Sequence, residues 1–491
     1  MRDLKKRGVR ALAWDFAGSL STRGVAFAVT LVLARLLSPE DFGLVALIIA
    51  FAAVGDVFID GGLGIALIQR RHVHAAHYSA AFYFNVLIGA VLGVLLFLSA
   101  ERIGDLYQQP QLGTLLKAAS PLFLISSLGI TQRVILRRDL NTKRLSAITL
   151  LGTSTAGGIA IVFAAAGYGV WALVIQILST SAISGALFWY LSDWRPKAAF
   201  SWKALKGLWG FGLDMFLARL IDSVYARVDY VIIGKLFPIA TLGYFQRAKV
   251  LNQLAIQYSS GSLMSVLLPV LSKIQKDLPR FQSVVLKSYK VVLFVSFLLF
   301  GGVYVTSEPL VVFLYSEKWR PSADYLAVLA LSGVAYPVNS VLVNVLSSRG
   351  RGRQFLLLEL LKKIIGVMNM VVGFSFGLMT YLYGLVVVSV LGMAANIYFA
   401  AREAEIAPMQ FVRPFAVQAA IAVVAIGLMA VTGAAMPLEG FNLLVVSGTA
   451  YVLVYWGLSA LLSTSAYGAF YSEFQPLIAK LAKRLRFGRR T

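Results

Sequence analysis

The stretch LARLLSPEDFGLVAL, Leu33 to Leu47, places an arginine, a proline and two acids between two long apolar runs. About 200 residues later, IIGKLFPIATLGYFQ, Ile232 to Gln246, repeats the order cation, leucine, proline and glycine. The cation and the glycine are eight residues apart in both stretches. Because proline and glycine punctuate helices, each stretch predicts a corner between two helices. Because the same corner motif occurs twice, the sequence predicts an internal repeat.

The composition places these corners in a membrane protein. The chain has 491 residues, of which 59% are hydrophobic and 14% are charged, whereas soluble domains are nearer half apolar and a quarter charged. Apolar runs of about twenty residues, the length that spans a bilayer as a helix, recur from end to end. The sequence contains no cysteine, which excludes thiolate metal sites, thiol nucleophiles and disulfides. It therefore predicts an all-α integral membrane protein.

We predict about fourteen transmembrane helices. The basic opening MRDLKKRGVR resembles a signal peptide, but the long apolar run behind it contains Arg23 and shows no cleavage site, so it predicts a retained first helix. The predicted cores are 12–35, 42–68, 79–99, 113–134, 146–166, 169–191, 207–235, 241–270, 284–305, 324–347, 355–377, 380–400, 414–432 and 443–463.

The distribution of charge predicts the orientation. An even number of spans puts both termini on one side, and by our count about 31 of the 45 Lys and Arg lie in the loops of that side, against about four in the opposite loops. The positive-inside rule then predicts that both termini are cytoplasmic. Most of the net charge of +23 is thereby explained by topology and by attraction to anionic membrane lipids. We expect no nucleic-acid partner.

The repeat predicts the domain organisation. Spans one to six and seven to twelve form two pseudo-symmetric six-helix lobes that enter the membrane in the same direction, which is a parallel repeat. Spans thirteen and fourteen are an appended pair. The predicted ranges are 1–200 for the N-lobe, 201–405 for the C-lobe, 406–466 for the appended pair and 467–491 for a basic cytoplasmic tail.

Charges inside the spans are the candidate functional residues. The seventh span contains five before its final residue, Lys235. These five cost roughly 15 kcal/mol to insert, while its large apolar residues return roughly 6 kcal/mol. Such a helix must meet water or a polar ligand inside the protein. The candidates for binding an anionic substrate are the cations Arg23, Arg219, Arg227, Arg247 and Lys249. The candidates for a charge network are the acids Asp56, Asp60, Asp214, Asp222 and Asp229.

Each of these assignments has a simpler alternative. Arg219 and Asp222 are three residues apart and can pair within their helix. Asp56 and Asp60 share a helix face, where like charges repel, so that one is protonated or holds a cation; alternatively, they are helix-end acids before the break GGLG. Arg23 lines a cavity or pairs with one of these two acids.

Three motifs carry a family resemblance: ARLLSPEDFGLVAL, DYVIIGKLFPIATLGYFQRAKVL and GYGVWALV. Together they resemble the polysaccharide-transporter branch of the MOP exporters, closest to the Wzx type associated with colanic-acid-like exopolysaccharides. The resemblance implies two six-helix lobes around a central cavity that opens alternately to each side. It also implies cavity-facing arginines, which map onto Arg23 in one lobe and onto Arg219 or Arg227 in the other. Spans thirteen and fourteen are then expected to form a groove for a lipid tail.

The function implied by the resemblance is that of a flippase. It moves an undecaprenyl-pyrophosphate-linked oligosaccharide from the cytoplasmic to the periplasmic leaflet of the bacterial inner membrane, for exopolysaccharide, O-antigen or capsule synthesis. A polysaccharide polymerase and its co-polymerase are candidate partners. No cofactor or metal is expected, and coupling to H+ or Na+ is left open. The sequence lacks phosphate-loop, serine-elbow and HExxH motifs, so we predict that the chain is not an enzyme.

Two rival functions remain. A multidrug exporter of the same superfamily would need a net acidic, apolar cavity, whereas the charges in or near the spans run about ten cations to six acids. A membrane glycosyltransferase or polysaccharide polymerase would usually need a sizeable outer loop with catalytic residues, and the outer loops here are short.

Overall fold

The computed structural model describes residues 2–197, 200–433, 440–473 and 475, and all regular secondary structure in these residues is helical. Most of the predicted basic tail, 467–491, lies outside them. The chain divides into two compact units, Met1–Gln246 and Arg247–Thr491. The predicted lobe ranges 1–200 and 201–405 stay a prediction, and the seventh predicted span belongs to the first of these two units.

In its described residues, the first unit contains nine helices and the beginning of a tenth. They are α1 (Arg2–Leu36), α2 (Pro39–Asp60), α3 (Leu63–Gln69), α4 (Ala75–Leu106), α5 (Pro110–Ala119), α6 (Pro121–Arg138), α7 (Thr142–Ala165), α8 (Trp171–Leu191), α9 (Trp202–Leu236) and the first residues of α10 (Ile239–Ile274). Helix α7 packs between α1 and α8, while α9 packs along α2, α3 and α4.

The second unit contains the rest of α10 and the helices that follow. They are α11 (Leu278–Val305), α12 (Ser307–Tyr315), α13 (Pro321–Gly333), α14 (Ala335–Ser348), α15 (Gly352–Ser375), α16 (Leu378–Ala404), α17 (Met409–Gly433) and α18 (Gly440–Leu461), with a 3-10 turn at Glu317–Trp319. Helix α11 lies at the centre of this unit, in contact with α13, α14, α17 and α18.

Eleven segments of the described chain are helical, long and apolar enough to cross a membrane. Three further predicted spans, 207–235, 241–270 and 355–377, coincide with α9, α10 and α15, which are long helices that carry more charge. Together these segments account for about fourteen spans. The prediction of an all-α, multi-pass integral membrane protein is confirmed.

Two predicted spans are broken at corresponding places in the repeat. The fourth span consists of α5 and α6, which meet at Ser120 and Pro121. The tenth consists of α13 and α14, which meet at Val334, three residues before Pro337. Proline removes a backbone donor and crowds the preceding turn, so Pro121 and Pro337 account for the two breaks.

The first corner shows how the sequence starts a helix. Ser38 is the N-cap of α2, Pro39 occupies its first turn, and the Ser38 hydroxyl accepts a hydrogen bond from the backbone N–H of Asp41 at 3.2 Å. The Asp41 carboxylate in turn accepts from the backbone N–H of Ser38 at 2.9 Å. This reciprocal capping satisfies two N–H groups that a helix start otherwise leaves unpaired. The helix ends at Gly61, whose φ of +52° suits glycine.

Helix α9 lies against α2 and α3 through glycines and small contacts. A Cβ at Gly62 would lie 1.9 Å from the carbonyl oxygen of Gly212, so the backbones touch at this point. Farther along α2 and α9, the Ser223 hydroxyl donates to the Ala53 carbonyl at 3.2 Å. The close approach places the polar face of α9 beside the last turn of α2.

Helices α17 and α18 share the core of the second unit. Tyr455 donates to the Oε1 atom of Gln418 at 2.6 Å, and its hydroxyl also lies 3.2 Å from the Phe294 carbonyl of α11. Tyr451 donates to the Phe297 carbonyl at 2.9 Å. All three polar side chains are fully buried. These bonds fix the last helix pair to α11.

Candidate anion-binding cavity

The first unit encloses a polar cavity with two adjoining compartments. One, about 370 Å³ in volume, is lined mainly by Ser and Thr and is called the hydroxyl compartment. The other, about 300 Å³, contains Asp56 and Asp60 and is called the carboxylate compartment. Arg133, Arg137 and Ser181 line both compartments. The two spaces are therefore served by the same pair of arginines.

The hydroxyl compartment is built from matching stripes on three helices. Arg23 projects into it from α1. The hydroxyl residues recur at helical spacing, so that they face the same side of otherwise apolar helices. They are Ser19 and Thr22 on α1, Ser146, Thr149 and Thr153 on α7, and Thr180, Ser181 and Ser184 on α8.

These hydroxyls can either donate to a ligand or accept from it. Thr149 donates to the Leu145 carbonyl of its own helix at 3.0 Å, and Thr180 donates to the Gln176 carbonyl at 2.6 Å. A hydroxyl that donates within its helix still accepts from a ligand, and by rotating it donates to one. Since the described lining of this compartment contains three arginines and no carboxylate, its field favours an anion.

The carboxylate compartment holds an ion pair. Arg219 Nη1 of α9 lies 3.1 Å from Asp60 Oδ2 at the end of α2, and the other Asp60 oxygen accepts from the Gly64 backbone N–H at 3.2 Å. Asp56 faces Arg133 across the same space. Three arginines here meet two carboxylates, so this compartment carries less net positive charge than its neighbour.

These contacts bear on the alternatives left open by the sequence. Arg219 pairs with Asp60 of another helix, which the alternative of a pair within α9 did not foresee. Asp60 lies at the end of α2 before the glycine break and also pairs with Arg219. Arg23 lines the hydroxyl compartment, as one alternative predicted.

The structure brings four of the predicted site residues together in this cavity: Arg23, Arg219, Asp56 and Asp60. The other predicted residues lie elsewhere on α9 and α10. Arg227 packs 5.6 Å from the centre of the Tyr230 ring, Asp229 is buried and accepts from the Tyr230 backbone N–H, and Asp214 and Asp222 are exposed. Arg247, which is buried, and Lys249, which is half-buried, belong to the second unit.

The sequence does not single out two of the cavity arginines. It assigns no role to Arg133, and it places Arg137 in the basic stretch RRDLNTKR, a predicted cytoplasmic loop. Both lie on α6, where Ser126, Ile130, Arg133 and Arg137 recur every three or four residues along one face. That spacing was the available signal. Arg133 is held 5.4 Å from the centre of the buried Phe188 ring, which fixes its direction.

Comparison with solved structures defines the class of fold. The lipid II flippase MurJ in an inward closed conformation superposes with a TM-score of 0.73 at 16% identity, covering 94% of this chain and 99% of that one. An inward-facing multidrug resistance MATE family transporter of the MOP superfamily gives a TM-score of 0.62 at 15% identity, covering 77% of this chain and 94% of the other. The chain shares the fold of these two proteins.

The sequence comparisons define the family. The family model described as "Polysaccharide biosynthesis protein" matches residues 32–324, which is more than half of the chain. The chain belongs to this family of polysaccharide biosynthesis proteins.

Its relatives carry names from polysaccharide biosynthesis. The succinoglycan biosynthesis transport protein ExoT of Rhizobium meliloti (strain 1021) is 25% identical, with 71% of this chain and 70% of ExoT covered. The lipopolysaccharide biosynthesis protein WzxC of Escherichia coli (strain K12) is 22% identical, with 71% of each chain covered. The teichuronic acid biosynthesis protein TuaB of Bacillus subtilis (strain 168) is 26% identical over 60% of this chain and 62% of TuaB. ExoT is named a transport protein, and the two structural neighbours are named a flippase and a transporter, which agrees with the prediction that the chain is not an enzyme.

Proposed function

We propose that the chain flips a lipid-linked oligosaccharide, carried on undecaprenyl pyrophosphate, from the cytoplasmic to the periplasmic leaflet of the bacterial inner membrane. The observation that carries the proposal is the hydroxyl compartment, where Arg23, Arg133 and Arg137 converge without a lining carboxylate. Membership of the polysaccharide biosynthesis family and the fold shared with a lipid II flippase support it. The cargo would serve exopolysaccharide, O-antigen or capsule synthesis.

The charged and polar groups of the cavity indicate where each part of the cargo binds. A pyrophosphate leaving water loses its hydration, and guanidinium groups offset that loss with paired hydrogen bonds. The hydroxyl compartment offers three such groups, so the pyrophosphate is bound there. Sugar hydroxyls both donate and accept, as do the serine and threonine side chains around them. The lipid tail stays in the bilayer.

Arg219 enters the mechanism as the partner of Asp60. While the cavity is empty of cargo, the carboxylates of Asp56 and Asp60 balance part of its positive charge. An arriving pyrophosphate competes with them for Arg133 and Arg137. Alternating access then exposes the loaded headgroup to the periplasm, and coupling of the return step to H+ or Na+ would use these two acids.

Topology and partners follow from the same proposal. Both termini and the basic loops face the cytoplasm, where anionic lipids attract them. A polysaccharide polymerase and its co-polymerase act on the flipped product and are the proposed protein partners.

Replacement of Arg23 tests the proposal. In a strain that depends on this chain for surface polysaccharide, Arg23→Ala should abolish export while the protein remains in the membrane. The matched control is Arg102→Ala, an exposed arginine of α4 outside the cavity. Normal export in the Arg23→Ala strain would show that the proposed clamp does not use this residue.

A second candidate function is multidrug export, because a MATE transporter shares the fold. Cationic drugs require an excess of acids, whereas the described lining of this cavity has four arginines and two aspartates. Binding of a labelled cationic dye that survives Asp56→Asn and Asp60→Asn would count against that candidate.

A further inference from the structure

The second unit contains another polar cavity, which the proposed transport does not use. It has a volume of about 530 Å³ and lies where α14 ends, α15 begins and α16 ends. Arg349, Arg351 and Arg402 line it together with Glu403 and Gln354. Its residues come from loops that the sequence places on the basic side of the membrane, so it opens at that end of the helices.

The arginine at its base is held in place but incompletely paired. The Arg349 guanidinium lies 4.6 Å from the centre of the Phe281 ring, which is fully buried. Within the described part of the chain, the buried Nε atom of Arg349 and the buried Oε1 atom of Gln354 have no hydrogen-bond partner. Buried polar atoms are nearly always paired in proteins. An oriented donor without a partner points to a ligand.

The remaining charges leave the cavity electropositive. Arg351 Nε lies 3.0 Å from Glu403 Oε2, so this carboxylate, which is 12% exposed, is already engaged. Glu405 is the second acid in the lining, against three arginines. The nearby ends of α10, α11 and α15, with the connection between α10 and α11, add four cations and one acid: Lys273, Lys276, Arg280, Arg353 and Asp277. The field in the cavity therefore favours an anion.

The position of the cavity beside the exposed apolar face of α15 indicates the source of that anion. Leu356 and Leu357 are 56% and 57% exposed, and Leu360 and Ile364 continue the exposed apolar face. An apolar exposed face in a membrane-spanning protein is covered by lipid. Arg351 precedes Leu356 by five residues, which is about 7 Å along a helix. The arginines thus lie where phospholipid phosphates would be.

We propose that this cavity binds the phosphate group of a net-negative phospholipid in the leaflet on the basic side. Arg349 and Arg402 contact the phosphate oxygens, and Arg351 is positioned by Glu403 at the rim. The same contacts can hold a free phosphate ion, so the chemistry shared by both sources is a phosphate oxyanion. A bound headgroup would bridge the ends of α14 and α16.

The test uses the full-length protein in nanodiscs that mix phosphatidylglycerol with phosphatidylcholine. Native mass spectrometry measures the phosphatidylglycerol retained after delipidation, for the wild type and for Arg349→Gln/Arg402→Gln. The control is Lys276→Gln/Arg280→Gln, which removes two cations from the same face outside the cavity lining. Loss of two charge-assisted contacts should weaken retention by about tenfold or more, with the control near the wild type. The single variant Arg402→Gln, at an exposed position, guards against misfolding and should show a smaller loss.

Two further arms separate the sources. Inorganic phosphate is titrated into the wild type in nanodiscs of phosphatidylcholine alone; binding that Arg402→Gln weakens assigns the site to the free ion, and no binding assigns it to the lipid. Equal losses in the cavity variant and the control would reduce the effect to general surface charge and overturn the proposal. Retention unchanged in both would overturn it as well.

Discussion

Gly43 and Gly243 occupy matching places in the two repeated corners, and each lies against the backbone of the other corner. A Cβ at Gly43 would fall 2.1 Å from the carbonyl oxygen of Ile239, and a Cβ at Gly243 would fall 2.0 Å from that of Pro39. The contact is reciprocal, so the start of α2 and the start of α10 pack together as a symmetric pair. Only glycine fits at either position without movement.

Alanine at Gly43 or Gly243 is therefore expected to push the two corners apart. Filling a closely packed contact costs about 1–3 kcal/mol in the free energy of unfolding. Thermal unfolding in detergent measures that loss, and surface-polysaccharide production reports the accompanying loss of transport. The control is Gly158→Ala in α7, where a Cβ would meet no atom within 4 Å. If Gly43→Ala and Gly243→Ala behave like this control, the corners do not pack as described.

The Asp60–Arg219 pair is expected to restrain the cavity when no cargo is present. Asp60→Asn keeps the acceptor for the Gly64 N–H but removes the charge opposite Arg219. We expect affinity for a pyrophosphate-bearing ligand to rise by about twofold to fivefold, the range of a partly exposed ion pair, while transport slows.

A double-mutant cycle of Asp60→Asn with Arg219→Gln, read out by ligand binding, isolates the pair. The two single effects should not add, because each variant removes the same contact. Additive effects would mean that the two side chains act independently.

Arg133 is expected to be as important as Arg23, although the sequence did not single it out. It lines both compartments, so Arg133→Ala should reduce transport by about tenfold or more through the loss of a charge-assisted contact. Arg133→Lys should restore only part of the activity, because lysine keeps the charge but not the bidentate geometry. Export of surface polysaccharide, normalised to the amount of protein in the membrane, measures both. Full activity in Arg133→Lys would argue for charge alone.

The buried network of the last helix pair is expected to stabilise the second unit. Tyr455→Phe removes the donor to Gln418 and leaves that buried amide oxygen with a weaker contact, 3.5 Å from the Ser459 hydroxyl. Loss of such a bond costs about 1–3 kcal/mol in the free energy of unfolding. Tyr398→Phe, at a residue 58% exposed on α16, is the control and should change little. Thermal denaturation distinguishes them, and equal midpoints would contradict the network.

Much of the fold could be predicted because apolar length and helix punctuation are local properties. The prolines and glycines of both corners mark the helix ends, and the capping by Ser38 follows from its spacing to Asp41. The packing of the corners on one another was beyond this reasoning, since it joins residues about 200 positions apart. Periodicity cannot show which helix faces meet.

The two corners occupy matching positions in the structure, but not every pair of similar stretches does. AGYGVWALV around Gly169 and YLYGLVVVS around Gly384 look alike in the sequence. In the structure, Gly169 precedes α8 with a φ of +56°, whereas Gly384 lies inside α16. Gly377, with a φ of +113° at the start of α16, occupies the comparable turn. Residue similarity misled here, because the left-handed backbone that requires glycine was not visible in the letters.

The candidate site was predicted in part for a related reason. Charges within apolar spans are conspicuous, so Arg23, Asp56, Asp60 and Arg219 were found. The serines and threonines cost little to place in a helix and gave no comparable signal, and Arg137 lies close enough to a helix end to be mistaken for a loop residue. Only the packing of α6 against α8 shows that these groups face one space.

Arg133 and Arg137 belong to both halves of the cavity. Two guanidinium groups cannot pair fully with two anions at once, so under the proposed function a bound cargo would withdraw countercharge from Asp56 and Asp60. Cargo binding and pairing with the two aspartates would therefore compete for the same two guanidinium groups. A transporter arranged in this way would select its cargo by charge. A doubly charged headgroup can displace Asp56 and Asp60 from the two arginines, and a neutral glycolipid cannot.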